Sequence, residues 1–377
     1  MAVEIKEIKP TKKAILEFIH YPIDVLYKDS PYFVPPLITD EIDLLLPERN
    51  PAFEFCESKY FMAFRDGKPV GRIAGIINHV VNKRSNKNEC RFGFVDFIND
   101  DEVVDALFNA VTEWGKAKGM DTLTGPLGFT DMDKEGMLVK GFDQMPTQSE
   151  IYNYDYYPAQ MQRMEFENNA DWLGMRIIVP DQIPPKMARV AKLVSERYEV
   201  RNIHFNNRKE LVSKYGDAIF SLINEAYDQL FGYSPLTKRQ IDHYIKVYLP
   251  FLPLDHISMV VDKTDTLIAV GITIPSISKA LIKGRGRLFP LGWYHLLKAI
   301  RGGTNVVDLL LIAVKPEYQN RGVNSLLFND LIPVYIKQKY KWAESNPELE
   351  LNEKVRQQWA YFEVDENKLR RAFTKKI

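Results

Sequence analysis

The spacing of apolar residues predicts a β-hairpin, a strand and an amphipathic helix in the first part of the chain. Two apolar runs beginning at Tyr60 flank the pair Asp66-Gly67, a pattern that is typical of a hairpin. After the next strand comes a helical repeat that opens with acidic residues and stops at Gly119. An extended pattern then resumes. This part therefore predicts hairpin, strand, helix and strand, in that order.

A similar series is predicted in the second part of the chain. Two helical repeats, the second capped by Thr237, precede a pair of apolar runs around a polar turn. A long apolar strand, a helix and a short strand follow at residues 305–314, 325–340 and 341–345. Hairpin, strand, helix and strand therefore recur in the same order, and with two helices ahead of each hairpin we predict the order helix, helix, hairpin, strand, helix, strand twice, although the residues themselves do not repeat.

Length and proline spacing predict two domains. With 377 residues, the chain exceeds the size of one typical core. The stretch 168–208 contains Pro180, Pro184 and Pro185 and is the predicted crossover between the two series. We therefore predict one domain at 1–180 and a second at 181–377.

Composition narrows the possible functions. Fifty Lys and Arg residues balance fifty Asp and Glu residues, so no general attraction to nucleic acid or to an anionic membrane is expected. The two cysteines and six histidines lack the spacing of metal ligands, and no metal site is predicted. The N-terminus lacks the apolar core of a secretory signal, and no run approaches the ~18 apolar residues of a membrane span. A cytoplasmic protein without a transmembrane segment is expected.

The clearest chemical signal lies between Asp308 and Phe328. An apolar strand ends at Lys315-Pro316, because proline has no N–H to donate to a strand ladder. The sequence QNRGVN, residues 319–324, then leads directly into an apolar helix. A glycine-containing loop at a helix N-terminus presents backbone N–H groups to an anion, and the helix dipole favours negative charge there. The stretch therefore predicts a phosphate-binding loop.

With this strand, loop and helix the chain resembles the GNAT superfamily of acyl-CoA N-acyltransferases. The superfamily's pyrophosphate loop reads Gln/Arg-x-x-Gly-x-Gly/Ala; Gln319 and Gly322 match two of its three defining positions, and Asn324 replaces the small residue. The stretch 125–161 is similar to uncharacterised bacterial proteins with two tandem GNAT-like halves. The resemblance implies an α/β (α+β) fold of two tandem domains, each a mixed, mostly antiparallel twisted sheet flanked by helices.

The same resemblance implies a site for acetyl-CoA or another acyl-CoA in the second half. Strand backbone would pair with the pantetheine arm, and the amides of the loop would hold the pyrophosphate. The residues that it implies are Ile312, Ala313, Val314, Gln319, Asn320, Arg321, Gly322, Val323, Asn324 and Ser325.

Asp308 is the candidate catalytic residue. Several members of the superfamily carry a glutamate base at the matching position, and a carboxylate there takes a proton from an ammonium substrate. The alternative for Asp308 is a strand-starting residue in solvent or in an ion pair. The superfamily's tyrosine acid, seven residues after an asparagine, has no counterpart, because Asn352 is followed at that spacing by Trp359. Tyr361 lies about 200° further round a helix, and Asn352 is favoured as a helix cap.

The first half lacks the phosphate loop, and two further segments have open interpretations. Residues 99–102 (NDDE) stand where the loop would be, and their acidic side chains would repel a phosphate. This half therefore resembles a degenerate GNAT domain. A tyrosine cluster within 152–157 is expected to seal a domain interface, with a substrate pocket as the alternative. The insertion 283–301 favours a packed hairpin with a solvated basic face; a lid over an acyl chain or an interfacial helix is the alternative.

These patterns favour an acyl-CoA-dependent N-acyltransferase, with acetyl as the expected acyl group and a small-molecule or peptide amine as the acceptor. A non-catalytic acyl-CoA-binding or interaction protein is the alternative, because Trp359 stands at the position of the acid. An aminoacyl-tRNA-dependent ligase of the tandem GNAT type is disfavoured by the neutral net charge and the absence of a long coiled-coil arm. No nucleic-acid partner is expected, and the oligomeric state is not fixed by the sequence.

Overall fold

The computed structural model describes residues 2–350 and 357–377, so the predicted cap Asn352 lies outside the described residues. The strands are β1 Glu4–Ile8, β2 Cys56–Arg65, β3 Lys68–Asn78, β4 Glu89–Phe97, β5 Thr122–Gly125, β6 Met137–Lys140, β7 Glu167–Ile178, β8 Arg201–Ile203, β9 Ile257–Val261, β10 Leu267–Pro275, β11 Val306–Val314, β12 Trp342–Glu344, β13 Glu348–Leu349 and β14 Val364–Lys376. The helices are α1 Lys12–His20, α2 Ile38–Leu45, α3 His79–Ser85, α4 Asp101–Ala117, α5 Tyr156–Arg163, α6 Pro185–Tyr198, α7 Arg208–Tyr227, α8 Lys238–Val247, α9 Ser278–Gly284, α10 Gly292–Lys298 and α11 Asn324–Lys337.

The chain forms two compact units. Unit 1 consists of Met1–Leu173, Ser278–His295 and Asn367–Ile377, and unit 2 consists of Gly174–Ile277 and Leu296–Glu366. The units are discontinuous because β7 begins in unit 1 and ends in unit 2, whereas β14 begins in unit 2 and ends in unit 1. The contiguous domains 1–180 and 181–377 stay a prediction. Proline spacing marks a boundary along the chain, but it does not indicate that later segments, such as Asn367–Ile377, belong to unit 1.

Both units contain the same strand arrangement. The sheet order is β1-β2-β3-β4-β5 in unit 1 and β8-β9-β10-β11-β12 in unit 2. Neighbours are antiparallel except for β4 with β5 and β11 with β12, which are parallel. In unit 1, β5 pairs on its other side with β14; in unit 2, β12 pairs on its other side with β7. The predicted fold class, mixed and mostly antiparallel sheets flanked by helices, is confirmed.

Local sequence signals determine several element boundaries. At the turn between β2 and β3, Asp66 and Gly67 have φ of 54° and 73°, the positive values that a tight hairpin turn with matched strand twist requires. Gly119 has φ of 77° just after α4, as expected of a glycine that stops a helix. Helix α8 begins with a capping box between Thr237 and Gln240, which satisfies two N–H groups at its first turn.

Helices cover both faces of each sheet. In unit 1, α4 packs on one face, and α1 and α2 pack on the other. In unit 2, α6 and α11 share one face, and α7 contacts β10 and β11. Within the described residues, none of these helices is long and apolar enough to cross a bilayer.

Candidate functional site

Among the described strands, the second half of β11 has a partner on one side only. Val306 to Asp308 pair with β12, which ends at Glu344, whereas β11 continues to Val314 beside β10. The register of β11 against β10 also shifts at Leu310, between Leu309 and Leu311. A bulge of this kind bends a strand and re-aims its backbone groups. From Leu309 onward, β11 therefore lacks a neighbour among the described strands on the side that β12 leaves, and we call this its open edge. The Leu310 carbonyl on this edge accepts a hydrogen bond from the Asn346 side chain.

Backbone groups of Ile312 and Val314 lie on this open edge. The Ile312 carbonyl accepts a hydrogen bond from the Tyr227 hydroxyl at 3.0 Å, and the Val314 carbonyl accepts one from Gln319 Nε2 at 3.0 Å. In an antiparallel pair, the N–H and C=O of one residue point to the same side of the strand. The N–H groups of Ile312 and Val314 therefore also point away from β10 and are aligned to pair with an extended amide chain.

The loop after β11 has a backbone shape that requires glycine at one position. Asn320 and Gly322 have φ of 59° and 77°, in the left-handed region that asparagine tolerates and glycine favours. A Cβ atom on Gly322 would lie 3.1 Å from Val190 Cγ1 and 3.4 Å from Val194 Cγ2, both on α6. The loop is thus closely packed on α6, and this fixes its path.

Helix α11 leaves its first backbone N–H groups at an open end. The N–H of Ser325 donates to the Gly322 carbonyl at 2.9 Å, and the Ser325 hydroxyl donates to the same carbonyl at 2.6 Å. The N–H of Leu326 donates to the Val323 carbonyl at 3.0 Å. The N–H groups of residues 321–324 precede these bonds and lie at the positive end of the helix dipole. This arrangement is suited to an anion.

The side chains of the predicted loop residues have different surroundings from one another. Gln319 is turned back onto the Val314 carbonyl, and the Arg321 guanidinium stacks over the Tyr198 ring at 5.4 Å. Val323 is buried in the core with α6, so it offers the site only its backbone. A side-chain contact between Arg321 and a phosphate therefore requires that the guanidinium leave Tyr198. Asn324 is half-buried at the first position of α11.

Asp308 is buried, with a side-chain exposure of 1%. Because Val307 and Leu309 pack against α11, the side chain of Asp308 points to the opposite face of the sheet. Its register partner on β12 is Glu344, and partners in register share a face. Two carboxylates are thus neighbours on this face. Burial rules out the alternative of a solvated strand-starting aspartate.

Glu344 is a residue of this face that the sequence analysis did not select. Its carboxylate accepts hydrogen bonds from Arg176 at 3.1 Å and from Trp342 Nε1 at 2.8 Å, and the Arg176 guanidinium stacks on the Trp342 ring. The only sequence signal was an acidic residue inside the short predicted strand 341–345. Its position beside Asp308 follows from parallel pairing, which the sequence did not specify.

Trp359, at the position of the superfamily's tyrosine acid, is a core residue. It is buried, its ring contacts Phe328 with centroids 5.2 Å apart, and its Nε1 donates to Glu348 at 3.1 Å. Tyr361 is exposed. Tyr227, at the end of α7, instead places a phenolic hydroxyl directly on the open edge of β11. The sequence analysis missed Tyr227, because only the packing of α7 on the sheet brings it there.

The equivalent edge in unit 1 is filled by the chain itself. Strand β4 also outlasts its parallel neighbour β5, but the Leu127 N–H donates to the Phe92 carbonyl at 2.9 Å. Further along, the hydroxyl of Tyr157 accepts a hydrogen bond from the Phe97 N–H at 2.9 Å, and the hydroxyl of Tyr156 donates to the Phe97 carbonyl at 2.6 Å. Two of the four clustered tyrosines thus occupy this edge.

The start of α4 in unit 1 carries its own anion. The Asp100 carboxylate accepts a hydrogen bond from the Val103 N–H at 3.2 Å and two from Arg65, at 2.6 and 3.0 Å. The hydrogen bonds from Arg65 hold the pKa of Asp100 below its usual value. The helix end that would face a pyrophosphate is therefore already neutralised by a carboxylate, as the NDDE sequence predicts.

Among the described residues, no group of three or more His, Cys, Asp and Glu side chains is arranged to hold a metal ion.

Known proteins share this architecture. The chain is 26% identical over 310 residues to Protein YghO of Escherichia coli (strain K12), which covers 82% of this chain and 78% of that protein. It is 24% identical over 313 residues to the bacterial ceramide synthase of Caulobacter vibrioides, which covers 82% of this chain and 80% of that protein. A solved structure, the tandem GNAT protein from the clavulanic acid biosynthesis pathway, matches with a TM-score of 0.58 at 11% identity, over 99% of this chain and 98% of that chain. No protein-family model matches the chain.

The chain is therefore a tandem GNAT-fold protein. The same strand order occurs in both of its units, and over most of its length the chain is similar to the two bacterial proteins named above.

Proposed function

We propose that this protein is an acyl-CoA-dependent N-acyltransferase with a single cofactor site, in unit 2. The observation that carries the proposal is the continuity of one strand, loop and helix. The open edge of β11 at Ile312 and Val314 is followed, within ten residues, by the N–H groups of 321–324 at the start of α11. A pantetheine arm carries amide groups that pair with a strand edge, and a pyrophosphate suits a helix N-terminus.

The residues present fit this group. Acyl-CoA supplies an acyl group activated as a thioester. In our proposal the N–H groups of Ile312 and Val314 bind the arm, and those of residues 321–324 bind the pyrophosphate, whereas the Ser325 N–H stays bonded to the Gly322 carbonyl. Asn324 in place of a small residue is compatible with this role, because its side-chain amide donates hydrogen bonds to an anion. Ala313 is buried, and its backbone groups point toward β10, so it lies between the two binding residues and offers the arm no N–H of its own.

Proton transfer is assigned to two residues of unit 2. Amide formation joins the amine nitrogen to the acyl carbon and breaks the bond between that carbon and sulfur. Asp308 accepts the proton that the amine loses, and Tyr227 donates a proton to the departing thiolate. The acid is thus moved from the usual position, occupied here by Trp359, to the end of α7. In our proposal, strand N–H groups near the bulge at Leu310 polarise the reacting carbonyl.

The acceptor and the acyl chain are chosen from the relatives. One relative is named a bacterial ceramide synthase, and a ceramide is the amide of a fatty acid with a long-chain amino alcohol. A long-chain amino alcohol with a fatty acyl-CoA is therefore the first substrate pair to test, beside acetyl-CoA with small amines and peptides. Release of free thiol over this panel, after calorimetric titration with each acyl-CoA, tests the proposal. Binding without turnover would favour the non-catalytic alternative, and no binding to any acyl-CoA would contradict both.

Asn324→Asp should weaken acyl-CoA binding about tenfold or more without lowering the melting temperature. A carboxylate in the first turn of α11 repels a pyrophosphate, yet it stabilises a helix N-terminus through the dipole. Acyl-CoA affinity should therefore fall while the melting temperature does not, so partial unfolding of the variant cannot account for the weaker binding. Asn329→Asp adds the same charge to α11 roughly 7.5 Å further along the axis and serves as the control. Unchanged affinity in Asn324→Asp would contradict the loop assignment.

Tyr227→Phe should lower kcat about 10²-fold and leave acyl-CoA affinity nearly unchanged. The substitution removes the hydroxyl from the Ile312 carbonyl but keeps the ring. Tyr233→Phe is the matched control, since its hydroxyl donates to Asn224 on α7. Equal kcat values for the two variants would show that Tyr227 is not the acid. A thiol with a low pKa can leave as the thiolate without being protonated. The loss of Tyr227 should therefore lower kcat most for thioesters whose leaving thiol has a high pKa.

A further inference from the structure

The chain segment Ser278–His295 of unit 1 exposes large apolar side chains. Four of them, Phe289, Leu291, Trp293 and Tyr294, have exposures of 77%, 60%, 48% and 49%. The packed hairpin favoured from the sequence is therefore wrong. These residues follow helix α9 and enter helix α10, and none of the described elements of unit 1 covers their apolar side chains. Single exposed apolar residues are ordinary, but a contiguous group indicates an interaction surface.

The base of this segment is firmly attached within unit 1. Arg285 and Arg287 both form ion pairs with Asp24, at 2.8 and 2.9 Å. The Gly286 carbonyl accepts a hydrogen bond from the Ile38 N–H at 2.9 Å. A Cβ atom on Gly286, whose φ is 69°, would lie 2.2 Å from the Pro36 carbonyl oxygen, so the two backbones approach closely. The exposed tip is thus held outward by a fixed base.

The charge of the surrounding sequence has one sign. Between Asp265 and Asp308 the chain contains no Asp or Glu, although it has fifty of them in total. The same interval carries the basic residues Lys279, Lys283, Arg285, Arg287, Lys298 and Arg301. Lys279 and Lys283 are exposed on α9, next to the apolar tip in the chain. Overall neutrality therefore conceals a local basic segment.

We propose that residues 279–294 attach the protein to an anionic lipid surface. Trp and Tyr prefer the boundary between headgroups and acyl chains, Phe and Leu enter the apolar layer, and Lys and Arg pair with anionic headgroups. The aromatic and aliphatic side chains are those of Phe289–Tyr294 at the tip, and the basic side chains are those of Lys279 and Lys283 on α9. An apolar protein partner would not need the basic residues, whereas an anionic bilayer uses both features. The proposal is independent of the acyltransferase reaction.

Sedimentation of the full chain with vesicles tests this attachment. Vesicles of phosphatidylcholine with phosphatidylglycerol should bind the protein, and pure phosphatidylcholine vesicles should bind it at least several-fold less, with binding to the anionic vesicles weakened by salt. The double variant Phe289→Glu/Leu291→Glu should lose about tenfold or more of the binding. Trp293 should shift its fluorescence to shorter wavelength on binding, and Trp293→Phe should lose that shift.

Two controls keep the result specific. Phe251→Glu changes another highly exposed aromatic residue, which lies in unit 2, and should bind vesicles like the unaltered chain. Lys279→Glu/Lys283→Glu should reduce binding while leaving the apolar tip intact. Equal vesicle binding by the tip variant and the unaltered chain overturns the proposal. The proposal is also overturned if Phe289→Glu/Leu291→Glu converts an oligomer to a monomer without changing vesicle binding, because the surface would then bind a second copy of the chain.

Discussion

Asp308→Asn should lower kcat by about 10²- to 10⁴-fold and leave acyl-CoA binding nearly unchanged. The amide keeps the shape of the side chain but cannot take a proton from the amine. Asp308 is buried on the sheet face opposite α11, so its replacement leaves the loop that would bind the pyrophosphate untouched. The deficit should shrink as pH rises, because a larger fraction of the amine is then already unprotonated. Steady-state kinetics across pH, with calorimetric titration of acyl-CoA, measures both effects.

Glu344→Gln distinguishes the two neighbouring carboxylates. Glu344 lies beside Asp308 in register and is bound by Arg176 and Trp342, so its role is to hold these residues rather than to accept the proton. This variant should lose much less activity than Asp308→Asn. A reversal of that order would make Glu344 the base. Full activity in Asp308→Asn, with normal melting, would assign Asp308 a structural role only.

Glu150→Gln should destabilise unit 1 by about 3–5 kcal/mol. The Glu150 carboxylate forms ion pairs with Lys368 at 3.0 Å and with Arg370 at 2.6 Å, and all three side chains are almost fully buried. Removal of the negative charge leaves two buried cations without their common anion. Lys368 and Arg370 belong to β14, so the effect should be concentrated where this strand completes the sheet of unit 1. Hydrogen exchange of peptides from β5, β6 and β14 should accelerate strongly, and that of β9–β11 should not.

The contribution of Glu150 should depend on pH in one direction. Burial by itself raises the pKa of Glu150, but the charges of Arg370 and Lys368 outweigh burial and hold that pKa below its usual value. A lowered pKa in the folded state means that the stabilisation is complete above the unfolded value of about 4.3 and is lost as pH falls through the folded value. The difference between Glu150→Gln and the unaltered chain should therefore shrink below about pH 4.

An exposed ion pair gives the comparison for Glu150. Glu102, half exposed, pairs with Arg65 at 2.8 Å at the start of α4. Glu102→Gln removes the same charge but should cost less than about 1 kcal/mol, since solvent screens the pair. If Glu102→Gln and Glu150→Gln accelerate hydrogen exchange in unit 1 equally, then the buried ion pairs of Glu150 do not stabilise unit 1 more than the exposed pair of Glu102 does.

Local patterns in the sequence predicted most of the fold. Strand alternation, helical repeats and the turn residues Asp66 and Gly67 depend on neighbours in the chain, and these signals gave the repeated element order that both units have. The loop at residues 319–324 was predicted for the same reason, since a strand end, a glycine and a helix start are close in sequence. Its role in cofactor binding stays a prediction that Asn324→Asp tests.

The parts that sequence reasoning missed all depend on distant residues. Tyr227 reaches Ile312, 85 residues away, because α7 packs on the sheet, and Glu344 stands beside Asp308 because β12 runs parallel to β11. For the segment that contains Phe289, the sequence favoured a packed hairpin and left an interfacial helix as the alternative, because only the surrounding fold decides whether an apolar run is covered.

The sequence by itself determined the two series of elements, the single phosphate-type loop and the local absence of acidic residues between Asp265 and Asp308, because each is a property of consecutive residues. Tertiary structure alone decided which strand edges stay open. In unit 2 the edge of β11 beyond Asp308 is left by β12, whereas in unit 1 Leu127 and Tyr157 fill the matching edge of β4. Edge pairing joins residues far apart in the chain, and no local pattern encodes which of them meet.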